Sequence, residues 1–317
     1  MQKRALGRTG LTIAPVVFGG NVFGWTADRK TSFAMLDRFT EAGFNAIDTA
    51  DAYSRWVPGN RGGESETIIG EWQKSRGNRD RLVLITKVGS DMGAGKTDLS
   101  ARWILEEVEN SLRRLQTDYI DLYLSHWPDP DTPYAETLGA YEKLLKAGKV
   151  RAVGASNLDA EQFAEALEVS RALNLPRYDV LQPEYNLYDR SGFDGPLRDL
   201  TMREDIGVIT YYSLAKGFLS GKYRDRQDLG KSARGGGVEE YLNPRGFAIL
   251  KALDTVSAKH GAKPAEVALA WIVAREGVTA PIASATSVEQ VESLVRGGTL
   301  RLEAEDIAAL DRASAPA

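Results

Sequence analysis

The sequence contains no cysteine and only two histidines, His126 and His260. Without thiols it can form neither disulfides nor thiolate metal centres, and it suits a reducing compartment. Two imidazoles are too few for a multi-histidine metal site. Neither sign of charge dominates: 40 basic and 44 acidic residues are interspersed for a net charge of −4, which argues against nucleic acid or an anionic membrane surface as partner. Long apolar runs are missing too. Met1-Gln2-Lys3-Arg4 leads into Leu11-Thr12-Ile13-Ala14 rather than a hydrophobic stretch, so neither a secretory leader nor a spanning helix is expected, and a cytoplasmic location is. No flexible linker or break in composition divides the 317 residues, so residues 1–317 read as one domain.

What the chain does contain is a repeated alternation. Lys3 to Ile13 reads as a hairpin around Gly7-Arg8-Thr9-Gly10, placed to plug a barrel floor. Short apolar, partly β-branched runs follow at Val16-Phe18, Ala46-Ile47, Leu82-Ile85, Tyr119-Leu124, Val150-Val153, Val180-Leu181, Val208-Tyr212 and Thr279-Ile282. Between them lie segments of helical period, such as Leu99 to Leu115, where Ile104, Val108, Leu112 and Leu115 fall on one face. A long irregular loop and an additional helix over Pro264 to Arg275 precede the final strand. Eight strands alternating with helices predict a parallel (β/α)8 TIM barrel with an N-terminal β-hairpin plug and extra helices late in the chain.

In such a barrel, chemistry sits at the carboxyl ends of the strands. Several strand runs end in polar groups there: Asp48, Lys87, His126 and Ser156-Asn157. Asp48, Lys87 and His126 recur at a spacing of 39 residues, about one β/α unit, so adjacent strands would present them side by side. Tyr53 follows Asp48 closely enough for a short loop to return its phenol to the rim. A phenol of ordinary pKa about 10 beside an ammonium is pushed toward the phenolate, and a carboxylate holds that ammonium in place. This group can deliver a proton to the alkoxide formed when a carbonyl accepts hydride, while the hydride must come from a cofactor. Taken singly, the same residues also suit a structural ion pair, a core histidine or a packing aromatic. Trp25, Trp56 and Trp127 follow strand ends and are candidate walls of a substrate pocket, whereas His260 reads as a surface residue.

These residues, with Leu6-Gly7-Arg8-Thr9-Gly10, Asp48-Thr49-Ala50, His126-Trp127, Gln182-Pro183-Glu184-Tyr185-Asn186 and the run Tyr212 to Lys222, resemble the aldo-keto reductase superfamily over nearly the whole chain. The resemblance implies reduction of aldehydes or ketones, or the reverse, with a nicotinamide cofactor. It implies Tyr53 as general acid, Lys87 and Asp48 as its tuners and His126 as substrate orienter. It further implies Ser156, Asn157 and Gln182 at the nicotinamide carboxamide, Tyr212 as the stacking ring, and the backbone of Ser213, Leu214, Ala215 and Gly217 at the pyrophosphate. Thr286 and Gln290 are further cofactor contacts that it implies.

NADP is the expected cofactor, with NAD open because Ala283 to Gln290 carries no cation; Ser284, Thr286 or Ser287, or Arg224, Arg226, Lys231 or Arg234 from the long loop, could meet a 2′-phosphate instead. The partner is a small carbonyl or alcohol; oligomeric state is unread. Because barrels of this superfamily also serve as accessory subunits of potassium channels, a cofactor-sensing regulatory role is the competing reading. Two decoys fail: Gly89 to Thr97 has the wrong glycine spacing for a phosphate loop, and Asp129-Pro130-Asp131-Thr132 lacks the glycine of a calcium loop.

Overall fold

A computed structural model describes residues 2–233 and 235–316. The chain opens with a hairpin, β1 (Arg4–Ala5) and β2 (Thr12–Ile13), paired antiparallel. Eight parallel strands then close a barrel: β3 (Val17–Gly19), β4 (Ala46–Asp48), β5 (Val83–Val88), β6 (Ile120–Ser125), β7 (Val150–Ser156), β8 (Val180–Gln182), β9 (Gly207–Thr210) and β10 (Ala280–Ala283), with β10 returning to pair with β3. The expected barrel and hairpin are both present.

Side chains alternating along the strands divide the apolar core in two. Val17, Ala46, Val83, Ile85, Leu122, Leu124, Ala152, Val180, Ile209, Ala280 and Ile282 fill the barrel interior, and Leu6 and Ile13 of the hairpin close its floor. The hairpin is seated by Asn45, whose Oδ1 accepts from the Ala14 amide (2.9 Å) and whose Nδ2 donates to Thr12 O (3.0 Å). Gly7, at φ +52°, crosses the barrel bottom so tightly that an added Cβ would lie 2.4 Å from the Gly207 nitrogen.

Outside the strands a larger core packs them against the helices, with Phe18, Ile47, Leu84, Tyr123, Val153, Leu181 and Val208 facing outward. The surrounding helices are α1 (Arg29–Glu41), α2 (Glu64–Arg76), α3 (Ala101–Leu115), α4 (Tyr134–Lys146), α5 (Ala160–Leu173) and α6 (Pro196–Arg203), followed by α7 (Pro244–His260), α8 (Pro264–Val273), α9 (Val288–Thr299) and α10 (Ala304–Ala313). Local signals set their ends: Asp28 and Ser100 cap the backbone of Thr31 and Trp103, and Asp159 with Gln162 forms a capping box. Among the described residues no helix is long and apolar enough to cross a membrane.

Two readings change. Val208 to Tyr212 is not strand throughout: β9 stops at Thr210, and Tyr212 turns into the left-handed region at φ +49° to lead the chain over the barrel mouth. His260 is not a free surface group; its Nε2 lies 2.7 Å from Asp306 Oδ2, so it clamps α7 to α10.

Candidate active site

The two-residue alternation that fills the barrel with Val83 and Ile85 places Lys87 inward at the next step, and the same continuation takes Ala46 to Asp48, Leu124 to His126 and Val180 to Gln182. Register completes the alignment, with Asp48 opposite Gly19 and Ile85, and Lys87 opposite Leu124. A Cβ at Gly19 would sit 2.6 Å from Ser284 Oγ, so glycine there keeps the mouth open.

Lys87 Nζ is the hub. It donates to Asp48 Oδ2 (2.8 Å), Thr49 O (2.7 Å) and the Tyr53 hydroxyl oxygen (2.8 Å), while the Tyr53 hydroxyl is 3.2 Å from Asp48 Oδ2. Gln182 Nε2 donates to Asp48 Oδ1 (2.8 Å), so both carboxylate oxygens are engaged. The Lys87 and Asp48 side chains are 0% and 2% exposed, and bulk water does not screen the pair. His126 stands across from Tyr53, ring centroids 5.9 Å apart, with Nδ1 2.8 Å from Ser90 Oγ.

The electrostatics reverse one expectation. Burial, followed by the Asp48 carboxylate, pushes the Tyr53 phenol well above its usual value, outweighing the ammonium that was expected to lower it. Tyr53 therefore carries its proton at neutral pH. Burial, reinforced by the charge of Lys87, holds His126 well below the ordinary imidazole range, so it is neutral. Behind this group Asp51 is buried with both carboxyl oxygens unpartnered, and burial followed by Glu66 and Glu107 pushes it far above the carboxylate range.

A cavity of about 1180 Å³ opens over these residues. Asp48, Tyr53, His126, Trp56 and Trp127 line it, and so do Ser156, Asn157, Gln182, Tyr212, Ser213, Leu214, Gly217, Thr286 and Gln290, so the candidate catalytic and cofactor residues share one space. Lys87 lies beneath the floor rather than in the wall. Trp25 does not reach the cavity: it packs edge-on against Trp56, centroids 5.5 Å apart, behind the wall it was expected to form. Ala215 is also outside the wall, buried at φ +46° with its amide on Tyr212 O.

The loop cations expected at a 2′-phosphate are committed elsewhere. Arg224 pairs with Asp254, Arg226 with Glu239 and Lys231 with Asp228, while Arg234 falls outside the described residues. The wall instead presents Lys216, Lys222 and Lys263. Lys263, at the start of α8, reaches Glu289 at 3.2 Å beside Thr286 and Gln290, and so brings a cation to the stretch after β10 that has none of its own. Sequence reading missed it because it comes from a different helix. Arg55, Ser90 and Tyr211 were missed as well; Tyr211 donates its hydroxyl to Asn157 Oδ1 (2.7 Å).

A family model described as the aldo/keto reductase family matches residues 15–315. The chain belongs to the aldo/keto reductase family. It is 34% identical over 293 residues to aldo-keto reductase YhdN of Bacillus subtilis (strain 168), covering 90% of this chain and 84% of that one. It is 28% identical over 324 residues to L-glyceraldehyde 3-phosphate reductase of Escherichia coli (strain K12), covering 98% and 92%. A probable voltage-gated potassium channel subunit beta of Oryza sativa subsp. japonica is 32% identical over 303 residues, covering 92% and 89%. As a barrel of this family it is an oxidoreductase by kinship.

Proposed function

We propose that this aldo-keto reductase interconverts aldehydes or ketones and alcohols with a nicotinamide dinucleotide, and that Tyr53 supplies the proton. The observation that carries this reading is the buried ammonium of Lys87 lying 2.8 Å from both Asp48 Oδ2 and the Tyr53 hydroxyl oxygen on the floor of a large cavity.

The residues fit a dinucleotide. Ser156, Asn157 and Gln182 converge at the barrel rim, tied by Ser156 Oγ to Gln182 O (2.8 Å) and Asn157 Nδ2 to His126 O (2.8 Å), and would hold the carboxamide. Tyr212, 42% exposed, offers a ring face for stacking. Ser213, Leu214 and Gly217 would meet the pyrophosphate, and Thr286 and Gln290 the adenosine end. Lys222, which lines the cavity and has no carboxylate partner among the described residues, favours the phosphorylated form, NADP, whereas Lys216 holds Glu240 at 2.7 Å and Lys263 holds Glu289 at 3.2 Å. When bound, the cofactor supplies or accepts the hydride.

The chain's own residues handle the oxygen. Neutral His126 has Nδ1 2.8 Å from Ser90 Oγ, and in the tautomer where Nδ1 accepts from that hydroxyl it keeps an Nε2–H to hold the carbonyl oxygen. Tyr53 transfers its proton there as the alkoxide forms, and the phenolate left behind is stabilised at once by Lys87. Asp48 and Gln182 position that ammonium. Trp56 and Trp127 wall the substrate side.

Fluorescence titration with NADPH and NADH, followed by a carbonyl screen, tests the reading. Tyr53→Phe should lower reduction by about 10²- to 10⁴-fold with cofactor affinity within a few fold; reduction at more than a tenth of the native rate would show that another group is the acid. The similarity to the rice channel subunit makes a cofactor-sensing role the second reading. Tight dinucleotide binding without carbonyl-dependent turnover across a broad panel would favour it.

A further inference from the structure

We propose that Arg55 anchors an anionic group on the carbonyl substrate, so that the enzyme prefers aldehydes or ketones carrying a carboxylate or phosphate over neutral ones. This rests on the reductase reading above and names the substrate class of that site.

Arg55 sits two residues past Tyr53 on the same turn, and that turn is fixed. Ser54 adopts φ +69° and donates to Phe23 O (2.6 Å), while Asn60 Nδ2 donates to Ser54 O and Gly24 O (both 3.0 Å). The position of Arg55 relative to the Tyr53 phenol is therefore set by the backbone. Among the described residues it is the only arginine in the cavity wall, which it shares with Tyr53, Trp56, Ser90, His126 and Trp127.

Its guanidinium is in no ion pair among the described residues. Nη1 donates to the main-chain oxygen of Asp91 (3.0 Å), and among the described residues no carboxylate oxygen lies within 4.0 Å. Several other arginines are paired, Arg38 with Glu292, Arg76 with Asp37, Arg79 and Arg151 with Asp121, and Arg114 with Glu66 and Glu107, while Arg4 and Arg245, like Arg55, bond main-chain oxygens but lie outside the cavity wall. The carboxylate of Asp91, which also lines the cavity, is engaged mainly by its own loop, where Oδ1 accepts from the amides of Gly93 (2.7 Å) and Gly95 (2.9 Å); those bonds, followed by the charge of Arg55, hold it below the usual carboxylate range without forming an ion pair.

The Gly93 backbone packs beside the guanidinium. A Cβ on Gly93 would come within 2.9 Å of Arg55 Nη2, and the glycine, at φ +110°, leaves that room. A guanidinium has five N–H donors, and one bond to a carbonyl leaves a fork able to take two oxygens of a carboxylate or phosphate. Proton transfer makes no use of this charge, because Lys87 already serves Tyr53 from below the floor. Lys222, which lines the same cavity, belongs to the cofactor's phosphates in the reading above, and Lys216 and Lys263 hold Glu240 and Glu289, which leaves Arg55 for the substrate.

The test compares matched pairs: succinic semialdehyde with butanal, and glyceraldehyde 3-phosphate with glyceraldehyde. The native enzyme should show a higher kcat/KM for the charged member of at least one pair. Arg55→Gln should reduce the charged-to-neutral ratio by about 10- to 100-fold, mainly through KM, and Arg55→Lys should restore part of it. If Arg55 only braces the loop at Asp91, Arg55→Gln will lower both members of each pair alike and leave the ratio where it was, which overturns the proposal. A native enzyme without preference for charge overturns it equally. Failure of the reductase reading is distinct, because then the neutral aldehydes are not reduced either.

Discussion

Asp48→Asn keeps the shape of the side chain and removes its charge, leaving the Lys87 ammonium buried without its counter-charge, held by Thr49 O, the Tyr53 oxygen and at most one neutral amide oxygen that Gln182 also needs. Because the two side chains are 0% and 2% exposed, no discount for solvent screening applies. Stripping one partner from a buried pair costs about 3–5 kcal/mol, much of it the desolvation of the charge left behind. Urea unfolding at pH 7 should show a loss in that range. A second signature follows from proton linkage. Burial is the largest influence on Lys87 and already lowers its pKa in the native fold against the opposing pull of Asp48, so removing Asp48 lowers it further below the unfolded value of about 10.4. The unfolded chain then binds more protons than the folded one between those two values, so the variant should regain stability relative to native protein as pH rises toward 10.4. A loss below about 1 kcal/mol that does not change with pH would refute the buried pair as the hub of this site.

Two further outcomes are expected. Tyr53 is held protonated and His126 neutral, so kcat/KM for carbonyl reduction should show no step near pH 6.5, whereas alcohol oxidation, which needs the phenol's proton gone, should climb through the alkaline range; a reduction step near 6.5 would mean His126 titrates as if solvated. Gly7→Ala should cost roughly 2 kcal/mol or more, against roughly 1 for Gly10→Ala, because both positions have positive φ but only at Gly7 does the new Cβ meet backbone, 2.4 Å from the Gly207 nitrogen. Equal losses in chemical denaturation would remove the hairpin's close seat on the barrel floor.

Much of this was legible in the sequence because a strand's period of two continues past its apolar part. Val83, Ile85 and Lys87 share a face, as do Ala46 and Asp48, so a polar residue that keeps the alternation at a strand end must point into the barrel mouth. Loops carry no such period. Trp25 and Trp56 both follow strand ends, yet Gly24 at φ +74° precedes a turn that leaves Trp25 behind Trp56 and away from the cavity. Lys263 arrives from α8, and the Asp91 turn engages its own carboxylate so that it forms no ion pair with Arg55, and neither fact is written in local pattern. His260 looked solitary because its partner Asp306 is 46 residues away.

The most instructive difference concerns Tyr53, because adjacency in sequence gives charges but not burial. An ammonium beside a phenol argues for a lowered pKa; enclosed with Asp48 and shut away from water, the phenol moves the other way. In the proposed chemistry this changes what Lys87 does. It does not prepare a phenolate beforehand, which would leave the site without its proton. It waits 2.8 Å from the oxygen, and its attraction becomes large only as negative charge appears there during transfer. An interaction stronger in the transition state than in the ground state speeds the reaction without tightening substrate binding. Replacing Lys87 should accordingly depress kcat while leaving KM nearly fixed, and a change confined to KM would contradict this account.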